Sequence, residues 1–190
     1  MDPVLIDVPE RLQTERLVLR APRPGDGAVL CSAVAASLDE LKPWMPWAQG
    51  GATPAESEAH ARRMHARFVL REDLVYLAFE RAADGGEGLL VASTGLHRID
   101  WQVPRFEIGY WCRTSLVGKG YVGEAVAAIT RFAFEKLGAA RVEIRTDSQN
   151  TRSFRVAERL GFRLEGLMRR DARIGETRRD ARRLWLEPPE

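Results

Sequence analysis

Two glycines stand directly before a predicted helix, in the segment S-L-V-G-K-G at 115–120. The first turn of a helix offers backbone N–H groups without internal partners, at the positive end of the helix dipole. Glycines at 118 and 120 let the main chain approach a ligand closely, because no side chain intervenes. The segment therefore predicts a site for a phosphate or pyrophosphate group, with a purely structural connection as the alternative. It fits neither the P-loop nor the dinucleotide-binding glycine pattern.

The elements that must position this segment follow from apolar periodicity and capping signals. The patterns predict about seven strands, at 15–21, 74–81, 89–99, 106–112, 141–146, 162–174 and 177–186. They predict about four helices, at 26–41, 53–71, 121–137 and 151–160. The second helix begins with a capping box formed by Thr53 and Glu56. Because strands and helices are interspersed along the chain, the predicted fold class is a mixed α/β (α+β) domain.

Length, composition and charge exclude several classes of protein. A chain of 190 residues predicts a single domain over 1–190. The 29 basic and 27 acidic residues give a formal net charge of +2, which argues against a nucleic-acid partner. No apolar run reaches membrane-spanning length, no basic segment begins a secretory signal, and Cys31 and Cys112 lack metal-ligand spacing. We therefore expect a cytoplasmic protein without metal or membrane contact.

Several short motifs occur in an order and spacing similar to those of one enzyme family. They are T-E-R-L-V-L-R at 14–20, W-M-P-W at 44–47, E-I-G-Y-W at 107–111, G-K-G-Y-V-G-E-A at 118–125, N-T-R-S-F-R-V-A-E-R-L-G-F at 150–162 and L-E-G at 164–166. Together they resemble the GNAT superfamily of N-acetyltransferases, in the branch of the RimJ and RimL ribosomal-protein N-terminal acetyltransferases. Ser115 replaces the Gln or Arg that begins the family's glycine loop, a departure common in this branch.

The resemblance implies a GNAT-like splayed sheet whose parallel neighbours, 106–112 and 141–146, part to admit the pantetheine arm of acetyl-CoA. It implies direct transfer of the acetyl group from acetyl-CoA to an amine in a ternary complex, without an acyl-enzyme or a metal. It also implies a homodimer. The residues implied to bind the coenzyme are Val117, Gly118, Lys119, Gly120, Tyr121, Asn150 and Ser153.

The same resemblance implies a hydrogen-bond donor for the leaving thiolate on the helix predicted at 151–160. Many family members use a tyrosine there, but its position is Ala157, which cannot donate a proton. The RimL-like branch implies that Ser153 contacts the sulfur instead. A serine bonded to its own helix backbone is the structural alternative. Asn150 is then a polar contact to pantetheine, the N-cap of the helix, or both.

The general base that accepts the amine proton has several candidates. Glu107 is preferred, because strand alternation places it opposite apolar neighbours, on a face expected to meet the substrate. An ion pair with an arginine is its structural alternative. Asp171 lies beside Ala172, the position at which the RimL-like branch carries a glutamate. His97 is the only histidine in the central predicted strands and is the third candidate, and water is the last.

The acceptor is the least determined part of the prediction. Trp44 and Trp47 resemble the aromatic segment that walls the acceptor pocket in this branch, and core packing is the alternative. A protein N-terminal α-amino group is the preferred acceptor. A small-molecule amine (an amino acid, a polyamine or an aminoglycoside) is the alternative, although the segment 56–72 offers few acidic residues. A non-catalytic CoA-binding module is the remaining hypothesis.

Overall fold

A single sheet contains every strand in residues 2–188, the part of the chain that the computed structural model describes. Its eight strands follow the order β1-β2-β3-β4-β5-β6-β8-β7. Their bounds are β1 Arg11–Gln13, β2 Leu17–Arg20, β3 Leu74–Arg81, β4 Glu87–Asp100, β5 Arg105–Cys112, β6 Arg141–Asp147, β7 Arg163–Ile174 and β8 Thr177–Leu186. All neighbouring strands are antiparallel except β5 and β6, which are parallel. The predicted mixed fold is confirmed, while the extent of the domain over 1–190 stays a prediction.

Five helices accompany the sheet in the described residues: α1 Gly27–Ala35, α2 Leu38–Leu41, α3 Pro54–Val69, α4 Tyr121–Leu137 and α5 Thr151–Arg159. The first two replace the single helix predicted at 26–41. The break lies at Ser37, whose buried hydroxyl donates to the carbonyl of Ala33 and accepts from the amide of Thr114. A serine hydroxyl that bonds the backbone of the preceding turn competes with helix continuation. None of the described helices is long and apolar enough to span a bilayer.

The extra strand β1 is the other departure from the predicted elements. Its three residues pair with β2 in antiparallel register, from Arg11 opposite Arg20 to Gln13 opposite Val18. A segment this short carries no periodicity, because its extended conformation comes from pairing with a neighbour rather than from its own side chains. The capping box of α3 and the strand 74–81 occur as predicted.

The two faces of the sheet are covered by different helices. On one face, α4 buries Val126 and Ile129 against Tyr76, Phe106 and Ile108. On the other face, α1 and α3 contribute a second apolar cluster with β3 and β4. Its members are Leu30, Ala33, Ala61, Met64, Val75, Leu77, Phe79 and Leu90. The sheet is therefore sandwiched between helical layers.

The parallel pair β5–β6 separates halfway along its length. Pairing runs from Arg105 opposite Arg141 to Ile108 opposite Ile144. Beyond that point β5 continues to Cys112 and β6 to Asp147 without pairing to each other. This divergence is the splay expected from the resemblance, and it creates a gap in the middle of the sheet.

A buried ion pair anchors the start of α1 to β2. The Arg20 guanidinium, with the residue 6% exposed, donates to both carboxylate oxygens of Asp26 at 2.7 Å and to Glu87 at 2.8 Å. Removing Asp26 would leave the buried Arg20 charge with Glu87 as its remaining carboxylate partner, so its desolvation would be only partly compensated.

We expect Asp26→Ala to lower the free energy of unfolding by about 3–5 kcal/mol, because Arg20 would stay buried without its bidentate partner. The matched control is Asp39→Ala, since the Asp39 side chain is 92% exposed. Its effect should stay within about 0.5 kcal/mol. Urea denaturation of both variants measures the difference. Equal unfolding midpoints for the two variants would contradict a stabilising role for the buried pair.

Candidate active site

The gap between β5 and β6 opens into a cavity of about 1050 Å³. One side of the cavity is formed by α3 and the segment 44–52, and the other by β4, β5, β6 and the start of α5. The predicted residues that line it are Trp44, Trp47, His97, Asn150 and Ser153. The predicted bases Glu107 and Asp171 and the loop 117–121 are not among the lining residues.

The glycine loop leads directly into α4. Gly118 and Gly120 have φ of 86° and 83°, in the left-handed region that glycine adopts without strain. Within residues 2–188, the amides of Gly118, Gly120 and Tyr121 have no hydrogen-bond acceptor, whereas Lys119 N–H donates to the carbonyl of Leu116 at 3.4 Å. No atom lies within 4 Å of the place where a Cβ of Gly118 would stand. Free amides beside open space are what a diphosphate requires, so these residues fit the coenzyme.

A carboxylate fixes this loop to the start of the chain. Glu124, on the first turn of α4, accepts hydrogen bonds from Thr14 Oγ1 at 2.5 Å, Arg16 N at 2.9 Å and Arg16 Nε at 2.7 Å. Arg16 Nη1 also donates to the carbonyl of Lys119 at 3.0 Å. Burial raises the pKa of Glu124, but these hydrogen bonds outweigh it and hold the pKa below its ordinary value. The ionised carboxylate thus braces the loop, a role that the sequence did not reveal.

Ser153 lies on the first turn of α5, opposite the separated end of β5. The Tyr110 hydroxyl donates to the Ser153 carbonyl at 2.9 Å and lies 2.9 Å from Ser153 Oγ. In the contact between the two hydroxyls either oxygen can be the donor. Burial raises the pKa of Tyr110 to about 12, with the Ser153 bond opposing it. A protonated hydroxyl pair therefore spans the gap, and Tyr110 is a member that sequence reasoning missed.

Asn150 is the N-cap of α5. Its Oδ1 accepts from the amide of Ser153 at 3.1 Å, so the capping role is what the structure shows. The residue also lines the cavity, which leaves a contact to pantetheine available as a prediction.

The two carboxylates predicted as bases are held by arginines. Glu107 accepts from Arg98 Nη1 at 2.9 Å and lies 3.8 Å from Arg145 Nη1. Asp171 is bound by the other terminal nitrogen of Arg145. Both carboxylates have cationic partners and neither lines the cavity. Their part in catalysis stays a prediction, and the contacts of Glu107 match its structural alternative.

His97, unlike the two carboxylates, lines the cavity and has an acidic partner. Its Nδ1 lies 3.0 Å from Oδ1 of Asp73, and both residues line the cavity. Asp73 also accepts from Arg67 at 2.9 Å. Burial raises the pKa of Asp73, but the bonds from His97 and Arg67 outweigh it and keep the pKa below its usual value. Asp73 was absent from the sequence prediction, since its position between α3 and β3 carries no motif.

The aromatic segment forms one wall of the cavity. Trp47 is 52% exposed, and its ring centroid lies 6.2 Å from that of Trp111 on β5. The guanidinium carbon of Arg179 lies over the Trp44 ring, 5.7 Å from the ring centroid. An indole as exposed as Trp47 is not core packing, so a role in acceptor binding stays the better prediction.

Cys112, at the end of β5, contributes no activated nucleophile. Burial raises the pKa of its thiol to about 11, so the thiol stays protonated at neutral pH. Across residues 2–188, no group of three or more His, Cys, Asp or Glu side chains is arranged to hold a metal ion.

Comparison with known proteins places this geometry in a family. The acetyltransferase (GNAT) domain profile matches residues 16–163. YdaF of Bacillus subtilis, whose name describes a ribosomal N-acetyltransferase, is 28% identical over 163 residues, covering 82% of each chain. The structure is similar to that of the microcin self-immunity acetyltransferase MccE in complex with acetyl-CoA and AMP, with a TM-score of 0.86 at 17% identity, over 95% of this chain and 98% of that one.

It is also similar to the ribosomal α-N-protein acetyltransferase RimL in complex with coenzyme A, with a TM-score of 0.84 at 22% identity, over 94% of this chain and 98% of that one. Structural likeness at these identities establishes a common fold. The profile match covers the glycine loop, the separated strands and α5, and so most of the described site. The chain belongs to the GNAT family of acetyltransferases.

Proposed function

We propose that this N-acetyltransferase moves the acetyl group of acetyl-CoA directly to the α-amino group of a protein N-terminus. The observation that carries the proposal is the cavity itself. It joins the separated strands, where the Tyr110–Ser153 pair lies, to the open wall formed by Trp44 and Trp47. A single space of this kind admits a thioester from one side and an amine from the other. The names of YdaF and RimL support the ribosomal-protein class of acceptor.

The residues that would hold the coenzyme come from two segments, the glycine loop before α4 and the start of α5. The amides of Gly118, Gly120 and Tyr121, with Val117 and Lys119 adjacent, would bind its diphosphate. Lys119 is exposed and adds charge, while the amides provide the directed hydrogen bonds. Asn150 and Ser153 would meet the pantetheine arm at the start of α5. When bound, acetyl-CoA supplies the activated acetyl group.

The state of two side chains at and near the cavity, Ser153 and Cys112, supports direct transfer. Ser153 Oγ contacts Tyr110, which is a weak acid with no basic partner, so nothing in the described residues activates the serine. Cys112 is held as the thiol. The Tyr110–Ser153 pair instead holds a proton at Ser153 Oγ, ready to donate a hydrogen bond to a leaving thiolate.

The engaged carboxylates of the cavity favour a single amine over a polycation. Its lining has three guanidiniums, those of Arg63, Arg67 and Arg145, beside four carboxylates, so it carries no cationic excess. Two of the lining carboxylates are already engaged, Asp73 by Arg67 and Asp147 by Arg179. A peptide N-terminus brings one positive charge and is tolerated best. The homodimer implied by the resemblance remains a prediction.

A panel of acceptors tests the function. With acetyl-CoA present, release of free thiol should be fastest with peptides that carry a free N-terminus, and absent when the same peptides are N-terminally blocked. Spermidine and kanamycin serve as polycationic comparisons. Faster turnover with either of them would contradict the proposed acceptor. If none of the amines is turned over, the result would favour the non-catalytic CoA-binding module.

Gly118→Glu should abolish binding of acetyl-CoA, lowering affinity by about 100-fold or more, because a carboxylate would occupy the anion site. Isothermal titration calorimetry measures the affinity. Gly85→Glu is the matched control, since Gly85 has a similar φ of 80° and equally open surroundings in a distant hairpin turn. Unchanged affinity in a folded Gly118→Glu variant would refute the site.

Tyr110→Phe and Ser153→Ala should each lower kcat by about 10–100-fold while leaving the affinity for acetyl-CoA within a small factor. The reason is that each removes a member of the proton-holding pair without altering the glycine loop. Tyr76→Phe is the control, because its buried hydroxyl donates to the carbonyl of Pro9 at 2.6 Å, outside the cavity. Wild-type kcat in both site variants would place the proton donor elsewhere.

A further inference from the structure

We infer that His97, oriented by Asp73, is the general base that takes the proton from the acceptor ammonium. The inference rests on the proposed acetyl transfer, because a base is needed only if an amine is the acceptor. It names a pair that no sequence motif indicates. Four features support it: the hydrogen bond from His97 to Asp73, the packing of its ring on Gly109, its access to the cavity, and the ion pairs that engage the other candidate carboxylates.

The contact with Asp73 fixes which nitrogen of His97 is free. An ionised carboxylate only accepts hydrogen bonds, so the Nδ1 at 3.0 Å from Oδ1 must carry the proton. The lone pair is then on Nε2, the nitrogen that a general base uses. Arg67 binds the second oxygen of Asp73 at 2.9 Å, and this contact holds the carboxylate ionised and in place.

The imidazole ring of His97 packs on the backbone of Gly109. A Cβ at Gly109 would lie 2.9 Å from Cδ2 and 3.0 Å from Nε2 of His97, so the imidazole would have to shift to make room for a side chain there. The ring therefore lies directly over the Gly109 backbone, in the space that the missing side chain leaves. Gly109 is the first residue of β5 beyond the last pair with β6, Ile108 with Ile144. Nε2 is thus held at the point where the strands separate.

Strand alternation then separates the proposed base from the proposed proton donor. Neighbouring residues of a strand face opposite sides, so Gly109 and Tyr110 present His97 and Ser153 on opposite faces of β5. The His97 side chain is 35% exposed and lines the cavity, which gives it access both to an acceptor and to water.

Other candidate bases are less available. Glu107 lies opposite His97 in the β4–β5 register but is bound by Arg98 and approached by Arg145. Asp171 is bound by Arg145. The charged and titratable groups around His97 and Asp73 are Arg67, His60, Glu72, Arg98, Glu107 and Arg145. Among them His60 is the remaining imidazole, and burial near Arg63 and Arg67 lowers its pKa.

The proton and electron accounts balance. The acceptor arrives as R–NH3+, and one proton passes to Nε2 of His97. The freed lone pair forms the N–C bond to the acetyl carbonyl carbon, the C–S bond breaks, and its electron pair leaves on sulfur. Sulfur takes a proton through the Tyr110–Ser153 pair, and the second nitrogen proton restores that pair through water. His97 returns its proton to bulk water, so the products are the amide, the thiol and one proton.

The first experiment determines which ring nitrogen of His97 carries the proton in the protein without ligands. Nitrogen-15 NMR of the imidazole should show His97 in the Nδ1-protonated form, and Asp73→Asn should remove that preference. A merely structural histidine could share the tautomer, so kinetics must follow. An Nε2-protonated His97 in the wild-type protein would overturn the inference, because the free lone pair would then face Asp73.

The second experiment uses His97→Gln with an N-terminal peptide as acceptor. We expect kcat to fall about 100-fold at pH 7, with the affinity for acetyl-CoA unchanged by calorimetry. The deficit should narrow as pH rises past about 8, because α-amino groups then arrive without their extra proton. A constant deficit across pH would indicate a structural role and overturn the inference.

Controls separate the possible failures. His60→Gln should leave the pH profile of kcat in place, and a larger change there than in His97→Gln would assign the base to His60. Asp73→Asn should lower kcat about 10-fold or more, and it keeps the inference testable if His97→Gln does not fold. If the wild-type protein acetylates no peptide, the proposed function fails. If it does and His97→Gln matches it, only the base assignment fails.

Discussion

The separation of β5 from β6 is the constraint on which the rest of the structure depends. Parallel pairing ends at Ile108 and Ile144, yet both strands continue and remain paired on their outer sides with β4 and β8. The facing backbone edges beyond that point have no partner strand, and unpaired polar groups inside a sheet require a ligand or water. The gap is therefore a site made by backbone, and the side chains around it add chemistry to a space that the topology has already opened.

In the proposed function, the beginnings of two helices have complementary tasks. The start of α4 offers free amides after Gly120, and Glu124 ties it to Thr14 and Arg16 so that the loop keeps its shape. The start of α5 is capped by Asn150 and presents Ser153 to Tyr110. The proposed function thus divides anion binding and proton supply between two helices. On the other face of β5, Asp73 and His97 add a group able to accept a proton.

Local signals predicted the elements and the residues of the glycine loop, because capping boxes, alternation and left-handed glycines act within a few positions of the chain. Ser153 came from the family motif. What the sequence did not reveal are contacts between distant positions: Thr14 with Glu124, 110 residues apart, Tyr110 with Ser153, 43 apart, and His97 with Asp73, 24 apart. The same reason explains Glu107. It lies opposite the apolar Phe106 and Ile108 as alternation predicts, but its arginine partners come from the bulge after His97 and from β6, and it does not line the cavity.

The two ends of the sheet differ in how they avoid growth into a larger assembly. One end stops at β1, which is only three residues long. The other end is β7, twelve residues with an open edge that carries Arg163, Arg169, Arg170 and Arg173. Three of these arginines are paired with carboxylates, Arg163 with Glu187, Arg169 with Asp180 and Arg173 with Glu176, so the edge carries charges of both signs. Charged side chains along an open strand oppose its pairing with the edge of another molecule.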